Sequence, residues 1–275
     1  MVVLTGGRRA TDTLHLDLRN PAAVCELTIP QGIDVCIHAA AAHEVLCHQD
    51  PVAAYTANVT ATRALLAAAL TAGVRRFVYV STFHVFGKPA GRLDEAAHPC
   101  PGNDYGLTHF LAEQIFSQAA RQHGVDVHIL RPSNLFGVPA NWASFNRWTL
   151  APFDFVQQAI QRQQIVLHSD GSPVRNYLSL ARWGETVLAA TRGERSAVTH
   201  VTGQAWSMYQ LAKLAADAVE VVTGKPVNVM LGEQRPTQAP YDFCSNYWSR
   251  EEDDRQQKMY HFLTDTAHHL LRGSV

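Results

Sequence analysis

Short apolar runs alternate along this chain with longer helical patterns, and this alternation constrains the fold more than any other feature of the sequence. The apolar runs predict strands at Val2–Leu4, Thr13–Leu18, Asp34–His38, Phe77–Val80, Asp126–Leu130 and Ile165–Leu167. Strands separated by helix-length segments are typical of parallel sheets with helices on both faces. The alternation therefore predicts an α/β chain with a doubly wound parallel sheet.

Two long helices are expected between these strands. The first is predicted over 51–72, because an acid followed by proline at Asp50-Pro51 suits a helix start and Gly73 suits its end. The second is predicted over 104–122, with Gly124 as its stop. Each helix leads directly into a strand, which is the order of a βαβ unit.

The pattern changes at about Pro139, where tryptophans, prolines and shorter helices appear. Helical stretches are expected near 152–163, 181–192 and 207–223. We therefore expect a nucleotide-binding region over 1–138, with some later strands contributed from 160–205, and a mainly substrate-binding lobe over 139–275. The polar segment 232–256 is expected to be a surface loop or lid.

Composition excludes several classes of protein. The formal charge is -1, which argues against a polyanion binder and so against nucleic acid as a partner. The five cysteines show no CxxC pair, and the fourteen histidines are scattered, so neither a disulfide framework nor a metal site is expected. No apolar run approaches the roughly 20 residues of a membrane span, and the start is unlike a signal peptide. A cytoplasmic protein that does not bind a membrane is expected.

A series of short motifs follows in fixed order along the chain. They are Asp17-Leu18, VCIHAAA at Val35–Ala41, Asn58 in YTANVTATRALLAAA, STFHVFG at Ser81–Gly87, YGLTH at Tyr105–His109, RPSNLFG at Arg131–Gly137 and RNYL at Arg175–Leu178. In this order they resemble the extended short-chain dehydrogenase/reductase family, of the NAD-dependent epimerase/dehydratase type, over roughly residues 1–225. The resemblance implies a Rossmann-like sheet with a smaller C-terminal lobe. It also implies NAD or NADP as cofactor and hydride transfer on a nucleotide sugar or a related carbonyl or hydroxyl substrate.

The resemblance also implies residue roles. The catalytic residues would be Thr82, Tyr105 and His109. The cofactor-binding residues would be Asp17, Leu18, His38, Ala39, Ala40, Asn58, Tyr105, His109, Arg131 and Pro132. The substrate-binding residues would be Thr82, Phe83, His84, Asn134 and Arg175. A homodimer would form by packing of the helices 51–72 and 104–122.

One departure concerns the residue that follows Tyr105 by one helical turn. A tyrosine with a pKa of about 10 is a useful acid or base near pH 7 only if that pKa is lowered. Where the family has a lysine cation for this purpose, the chain has His109, which is mostly neutral at pH 7. Two interpretations stay open: a slow or pH-shifted enzyme, and a catalytically impaired or non-catalytic nucleotide-sugar-binding relative.

A second departure is at Phe83-His84, where 4,6-dehydratases of the family have an Asp-Glu pair for water elimination. This substitution argues against a dehydratase and leaves epimerisation, reduction or binding. Glu113 is expected to form a surface ion pair, and His128 and Trp183 are expected to be packing residues. Trp142, Trp148 and Trp206 are expected to pack internally or to line a substrate pocket.

A third departure is the absence of the family's G-x-x-G-x-x-G loop, whose glycines let a pyrophosphate approach a helix N-terminus. Asp17 follows Gly7 by only ten residues, which leaves no room for a helix and a strand. Met1–Leu4 is either the first strand followed by a deletion, or the second strand of a chain lacking about 30 upstream residues, as after a misassigned start. We favour the second, because Gly6-Gly7-Arg8-Arg9 resembles a turn after the second strand, and arginine there hints at NADP.

Overall fold

The structure, a computed structural model, describes residues 16–193, 197–233, 239–247 and 255–273 of the chain. The strand expected at Val2–Leu4 lies outside these residues, as do the Arg8-Arg9 pair and most of the strand expected at Thr13–Leu18. The described end of that segment, Leu16–Leu18, is not a strand: Leu18 and Arg19 form a turn.

The regular elements alternate as the sequence predicts. The helices are α1 (Pro21–Cys25), α2 (Glu44–Gln49), α3 (Pro51–Tyr55), α4 (Ala61–Thr71), α5 (Asp104–His123), α6 (Ala151–Arg162), α7 (Leu180–Ala190), α8 (Met208–Thr223) and α9 (Arg255–Arg272). The strands are β1 (Val35–His38), β2 (Arg76–Val80), β3 (Gly91–Leu93), β4 (Asp126–Pro132), β5 (Asn134–Phe136), β6 (Gln164–Val166), β7 (Val174–Ser179), β8 (Ala197–Val201), β9 (Gln204–Ser207), β10 (Asn228–Met230) and β11 (Tyr241–Phe243).

The chain divides into two compact units. The first comprises the described residues of Met1–Lys88, Asp94–Pro132 and Glu185–His200. The second comprises those of Pro89–Leu93, Ser133–Gly184 and Val201–Val275. The main division therefore falls after Pro132, a few residues before the boundary expected at 138.

The first unit contains a four-stranded sheet in the order β1-β2-β4-β8. The strands β1, β2 and β4 are parallel, with Cys36 opposite Phe77 and Phe77 opposite Val127. The doubly wound parallel sheet predicted from the sequence is confirmed. The strand β8 lies within 160–205, the segment from which later strands were expected to join.

The two long helices form where their caps predict. The Asp50 side chain accepts a hydrogen bond from the Ala53 N–H and starts the first helix. Between α3 and α4 this helix contains a π-helical turn, Thr56–Thr60, which the sequence pattern did not predict. The helix α5 begins at an Asn103 cap and ends at Gly124 in the left-handed region.

The core of the first unit lies where α5 packs on the sheet. Phe77, Tyr79 and Phe116 are each at most 2% exposed, and Val127 and Ile129 pack with them. Burial of each such side chain stabilises the fold by roughly 1.5–3 kcal/mol. This core fixes α5 against the strand β2, from whose end the candidate site begins.

The second unit has smaller sheets. The strand β7 lies between β5, to which it is parallel, and β9, to which it is antiparallel. The helices α6, α8 and α9 pack together around a core that includes Phe153, Leu211 and Leu263. Trp206 is buried in this core and Trp142 and Trp148 pack against it, which confirms their internal packing.

Two expectations about the later chain are corrected. The strand expected at Ile165–Leu167 exists as β6, but it pairs with β10 and is not part of the main sheet. The expected loop 232–256 contains the strand β11, which pairs with β3, and Phe243 is 2% exposed. The helix α9 was not predicted, although its buried residues Met259, Phe262, Leu263 and Ala267 have the spacing of one face of an amphipathic helix.

Candidate active site

The candidate site begins at the end of β2, in a 3₁₀ turn formed by Phe83–Phe86. Thr82 precedes the turn in extended conformation, and its Oγ1 accepts a 3.2 Å hydrogen bond from the backbone N–H of His84. The Thr82 side chain is 6% exposed. Because the oxygen accepts in this bond, the hydroxyl hydrogen stays available for another acceptor.

The start of α5 lies directly against this turn. The Asn103 side chain accepts a 2.9 Å hydrogen bond from the N–H of Gly106, which sets the first turn of the helix. Gly106 lies so close to the backbone carbonyl of His84 that a Cβ at this position would overlap its oxygen. The glycine therefore permits the helix that carries Tyr105 to approach the turn that follows Thr82.

Tyr105 is partly buried between two imidazole rings. Its ring centroid lies 4.8 Å from that of His109, one helical turn later, and 5.5 Å from that of His84. Both contacts are edge-to-face. The helix register thus gives His109 the place beside Tyr105 at which the resemblance expects a lysine.

His109 is a neutral side chain in this environment. It is 4% exposed, and burial lowers its pKa to about 4, with smaller contributions from His38 and His84. Its Nδ1 lies 2.9 Å from the Tyr79 hydroxyl. Its Nε2 has no hydrogen-bond partner within the part of the chain that the structure describes.

His38, expected to bind the cofactor, has its side chain in the interior. Its Nε2 lies 2.8 Å from the Thr62 hydroxyl, and its ring stacks on Tyr79 at 5.7 Å. Burial lowers the pKa of His38 to about 4. The next residues, Ala39 and Ala40, are exposed.

Asn58, also expected at the cofactor, connects the π-helical turn to two neighbours. Its Oδ1 accepts a 2.6 Å bond from the Ala42 N–H, and its Nδ2 donates to the Thr108 hydroxyl at 2.9 Å. The side chain is 1% exposed. These bonds hold the loop after β1 and the helix α5 to the first long helix.

Glu113 is not on the surface, which corrects the expectation of a surface ion pair. Glu113 and Arg131 are 1% and 4% exposed. They form a bidentate ion pair, in which Arg131 Nε lies 2.9 Å from Glu113 Oε1 and Arg131 Nη2 lies 2.6 Å from Glu113 Oε2. Ser81 donates to the same carboxylate, and the Arg131 guanidinium lies 5.3 Å from the Phe86 ring centre. Arg131, expected at the cofactor, therefore has its guanidinium engaged inside the first unit. The Ser81 hydroxyl is thus engaged with the carboxylate.

A cavity of about 370 Å³ adjoins β1 and the loop that follows it. His38, Ala39 and Ala40 line it together with apolar side chains that include Ile29, Ile33 and Leu65. Asp17, expected at the cofactor, has a 39% exposed side chain and forms a 2.6 Å ion pair with Arg19. Leu18 packs against the clusters formed by the first long helix.

The substrate-binding residues expected from the later motifs fall in the second unit. Asn134 Nδ2 donates a 3.0 Å bond to the backbone oxygen of Asn176. Arg175 lies on β7 opposite Trp206 of β9. Pro132, expected at the cofactor, ends β4 in the first unit and is buried.

Sequence reasoning missed Tyr79 and Thr62 as neighbours of the site. Tyr79 belongs to the run Phe77–Val80, in which every residue is apolar or aromatic, so the sequence does not distinguish it from a core residue. Thr62 lies in an alanine-rich helix. The one signal for both was position: Tyr79 precedes Ser81-Thr82 by two residues, and Thr62 follows Asn58 by one helical turn.

Comparison with known proteins agrees with the fold and the motifs. The model of the NAD dependent epimerase/dehydratase family matches residues 3–197. UDP-glucose 4-epimerase of Rhizobium meliloti (strain 1021) is 29% identical over 204 residues, which cover 68% of this chain and 61% of that protein. The chain thus spans less than two thirds of the length of this relative.

Two solved structures share the fold. One is RMD of Pseudomonas aeruginosa in complex with NADPH. Its TM-score is 0.74 at 23% identity, and the aligned region covers 93% of this chain and 88% of the RMD chain. The other is a UDP-glucuronic acid 4-epimerase variant of Bacillus cereus, in complex with NAD and a UDP-linked fluorinated sugar acid. Its TM-score is 0.75 at 19% identity, and the aligned region covers 94% of this chain and 82% of the epimerase chain. Among the described residues, no helix is long and apolar enough to cross a membrane.

Proposed function

The chain belongs to the NAD-dependent epimerase/dehydratase family, and on this premise we propose that it is an NAD(P)-dependent epimerase or reductase of a nucleotide sugar. The observation that carries the proposal is the close approach of the start of α5 to the turn after β2. This approach brings Tyr105 and His109 beside the segment that begins at Thr82. A phenol can take the proton of a sugar hydroxyl and return it, and the Thr82 hydroxyl hydrogen can bond the reacting oxygen.

In this proposal Tyr105 is the acid/base, taking the proton of the reacting hydroxyl or returning it. Thr82 donates to the reacting oxygen, because its own oxygen already accepts from the His84 N–H. Each group stabilises the charge that develops on oxygen when the proton leaves. His109 occupies the lysine position but supplies a neutral donor, so Tyr105 lacks a cationic neighbour there.

One buried atom, His109 Nε2, fits a contact with a nicotinamide dinucleotide. The buried Nε2 of His109 has no partner among the described residues, and an orphaned buried polar atom is stabilised by a ligand that pairs with it. Ala39 and Ala40, exposed at the end of β1, offer small side chains against which a ligand could lie. With Asp17, Leu18, Asn58 and Pro132 these residues would hold the cofactor, which when bound would exchange a hydride with the sugar carbon.

On the substrate side, Phe83 and His84 of the first unit are proposed to contact the nucleotide sugar, whereas Asn134 and Arg175, which belong to the second unit, keep a substrate-binding role only as what the resemblance implies. Phe83 and His84 stand where a dehydratase of the family has its acidic pair, so elimination of water is not proposed. The two long helices, 51–71 and α5, are proposed as the surface of a homodimer. We propose that the protein acts in the cytoplasm.

A second function is favoured by one observation, the burial of His109 at the position where the family has lysine. With its pKa at about 4, His109 is uncharged at pH 7 and contributes no cation to lower the pKa of Tyr105. A protein with this site would bind a nucleotide or nucleotide sugar and show no measurable exchange. The two functions share a binding site and differ in rate.

Titration followed by turnover tests the proposal. Calorimetry with NAD⁺, NADH, NADP⁺ and NADPH at up to millimolar concentration measures binding, and UDP-glucose serves as the probe substrate for hydrogen exchange at the sugar ring. We expect binding of one cofactor pair and slow exchange. Tyr105→Phe should lower the exchange rate about 10²–10⁴-fold, since it removes the acid/base group.

Tyr247→Phe is the matched control, because Tyr247 is 71% exposed and the change should leave exchange at the wild-type rate. Binding without exchange, together with exchange gained by His109→Lys, selects the second function. If none of the four nucleotides binds, both functions fail for this chain.

A further inference from the structure

Tyr79 is a buried phenol on β2 and is 2% exposed. Among the described residues, its hydroxyl forms one hydrogen bond, to His109 Nδ1 at 2.9 Å. Burial raises the pKa of Tyr79 well above 10, with a smaller effect from Glu113, so the phenol keeps its hydrogen. The hydroxyl therefore enters this bond as a neutral O–H group.

The Tyr79 hydroxyl and His109 Nδ1 could each donate in this bond, and the two arrangements leave different numbers of buried polar groups unpaired. If Nδ1–H donated to Tyr79, the Tyr79 hydrogen and the Nε2 lone pair of His109 would both be buried without a partner. If Tyr79 donates to Nδ1, only the Nε2–H is left. Because each unpaired buried polar group destabilises the fold, the second arrangement is the favoured one.

We propose that Tyr79 is a positioning residue: its O–H donates to Nδ1 of His109 and so presents Nε2–H as a neutral donor to an acceptor oxygen of the bound nucleotide. This inference rests on the proposed function for the identity of the ligand. It assigns a role to a strand residue that contacts the active side chain and not the reacting atoms.

The packing around Tyr79 makes it a rigid partner. Its ring stacks on Phe116 at 5.0 Å with an interplanar angle of 23°, and on His38 at 5.7 Å with an angle of 28°. The strand backbone and these rings fix the direction of the phenol. His109 itself is held by α5, so the bond joins two elements whose positions are set by the core.

This chain has His109 where the family has a lysine, and a histidine at this position needs a partner such as the Tyr79 hydroxyl. A lysine ammonium carries three donor hydrogens and requires no neighbour to place them. A neutral imidazole carries one hydrogen that can sit on either nitrogen, and the other nitrogen's hydrogen bond selects its place. Tyr79 thus makes His109 a donor toward the ligand, where the opposite tautomer would offer a lone pair.

Nitrogen NMR of histidine-labelled protein without any ligand tests the tautomer directly. The His109 signals are assigned by their loss in His109→Gln. We expect an unprotonated Nδ1 and a protonated Nε2 in the wild type. In Tyr79→Phe, which keeps the ring, the Nδ1 signal should shift as the bond is lost and the Nδ1–H tautomer should become populated.

Phe116→Leu is the matched control, since it removes one of the two ring stacks on Tyr79 and leaves the strand backbone, the His38 stack and both hydrogen-bonding atoms in place. It should lower the thermal midpoint and leave the His109 tautomer unchanged. A wild-type Nδ1–H tautomer, or an unchanged tautomer in Tyr79→Phe, would overturn the inference. Because no ligand is present, this result is readable even if the proposed function fails.

Cofactor affinity gives the second measurement. Tyr79→Phe should weaken NAD(P)(H) binding about tenfold, the typical effect of misplacing one buried donor. In a His109→Lys background the same change should alter affinity less than about twofold, because Tyr79 acts through the imidazole. Equal losses in both backgrounds would refute positioning and indicate a structural role for Tyr79.

Discussion

Lowering the pH should reduce the free energy of unfolding of this protein, mainly because His38 and His109 are buried in their neutral form. Both imidazoles are 4% exposed, and burial lowers each pKa from 6.5 to about 4. Between those values the unfolded chain binds protons that the folded chain does not, so the free energy of unfolding falls as pH falls. The full contribution is present above pH 6.5, is lost between about pH 6.5 and pH 4, and changes no further below pH 4.

The magnitude follows from the two pKa values. At pH 5 a histidine with a folded pKa of about 4 and an unfolded value of 6.5 has lost about 2 kcal/mol relative to neutral pH. The two histidines together account for roughly 4 kcal/mol. This is a large share of the 5–15 kcal/mol by which native domains are stable.

Urea unfolding at pH 7.5, 6.0 and 5.0, followed by tryptophan fluorescence and circular dichroism, measures this loss. His38→Gln and His109→Gln retain an amide able to bond Thr62 or Tyr79 but do not titrate. Each should reduce the drop from pH 7.5 to pH 5.0 by about 2 kcal/mol, whatever its effect at pH 7.5. His123→Gln, at an exposed position, should leave the drop unchanged. If the buried-site variants keep the wild-type drop, the histidines are not held neutral and the reasoning is wrong.

Further predictions concern packing and caps in the first unit. Glu113→Gln should lower the free energy of unfolding by about 3–5 kcal/mol, since Arg131 is left buried without its counterion, whereas Glu26→Gln on the surface should change it by less than about 0.5 kcal/mol. Gly106→Ala should lower both the thermal midpoint and the exchange rate, because the added Cβ overlaps the His84 carbonyl; Gly184→Ala, in a helix with open space around it, should be neutral or stabilising in the same melt. Asp50→Ala should cost about 1 kcal/mol in urea unfolding by removing the cap of the first long helix, and a cost near zero would show that the Ala53 N–H finds another acceptor.

The parts of the fold that the sequence predicted are those with local signals. The starts and stops of the long helices follow from Asp50-Pro51, Gly73 and Gly124, whose preferences depend on one or two neighbours. The strands β2 and β4 were predicted from apolar runs that are mostly buried, whereas β8 was expected only as an unspecified later strand from 160–205. The membership of β6 was not predicted, because a three-residue strand carries no information about which strand it pairs with.

In the candidate site, too, the features with local sequence signals were predicted and those that depend on tertiary packing were not. The relation of Tyr105 to His109 follows from helix periodicity, and the motif order gave Thr82 its place. The bond between Tyr79 and His109 joins residues 30 positions apart and depends on how α5 packs across β2, which no local pattern encodes. Glu113 was assigned to the surface because a charged residue seldom lies in a core, and its burial depends on a partner 18 residues later.

The buried pair of Glu113 and Arg131 also bears on how the chain folds. Its members belong to α5 and β4, which follow each other in sequence, so closing the pair encloses only a short loop. Contacts this local cost little chain entropy, and they form readily before distant strands have paired. We expect α5 and β4 to dock in the folding transition state with the carboxylate and guanidinium already together. In stopped-flow kinetics, replacing the Glu113 carboxylate would then slow refolding more than it accelerates unfolding.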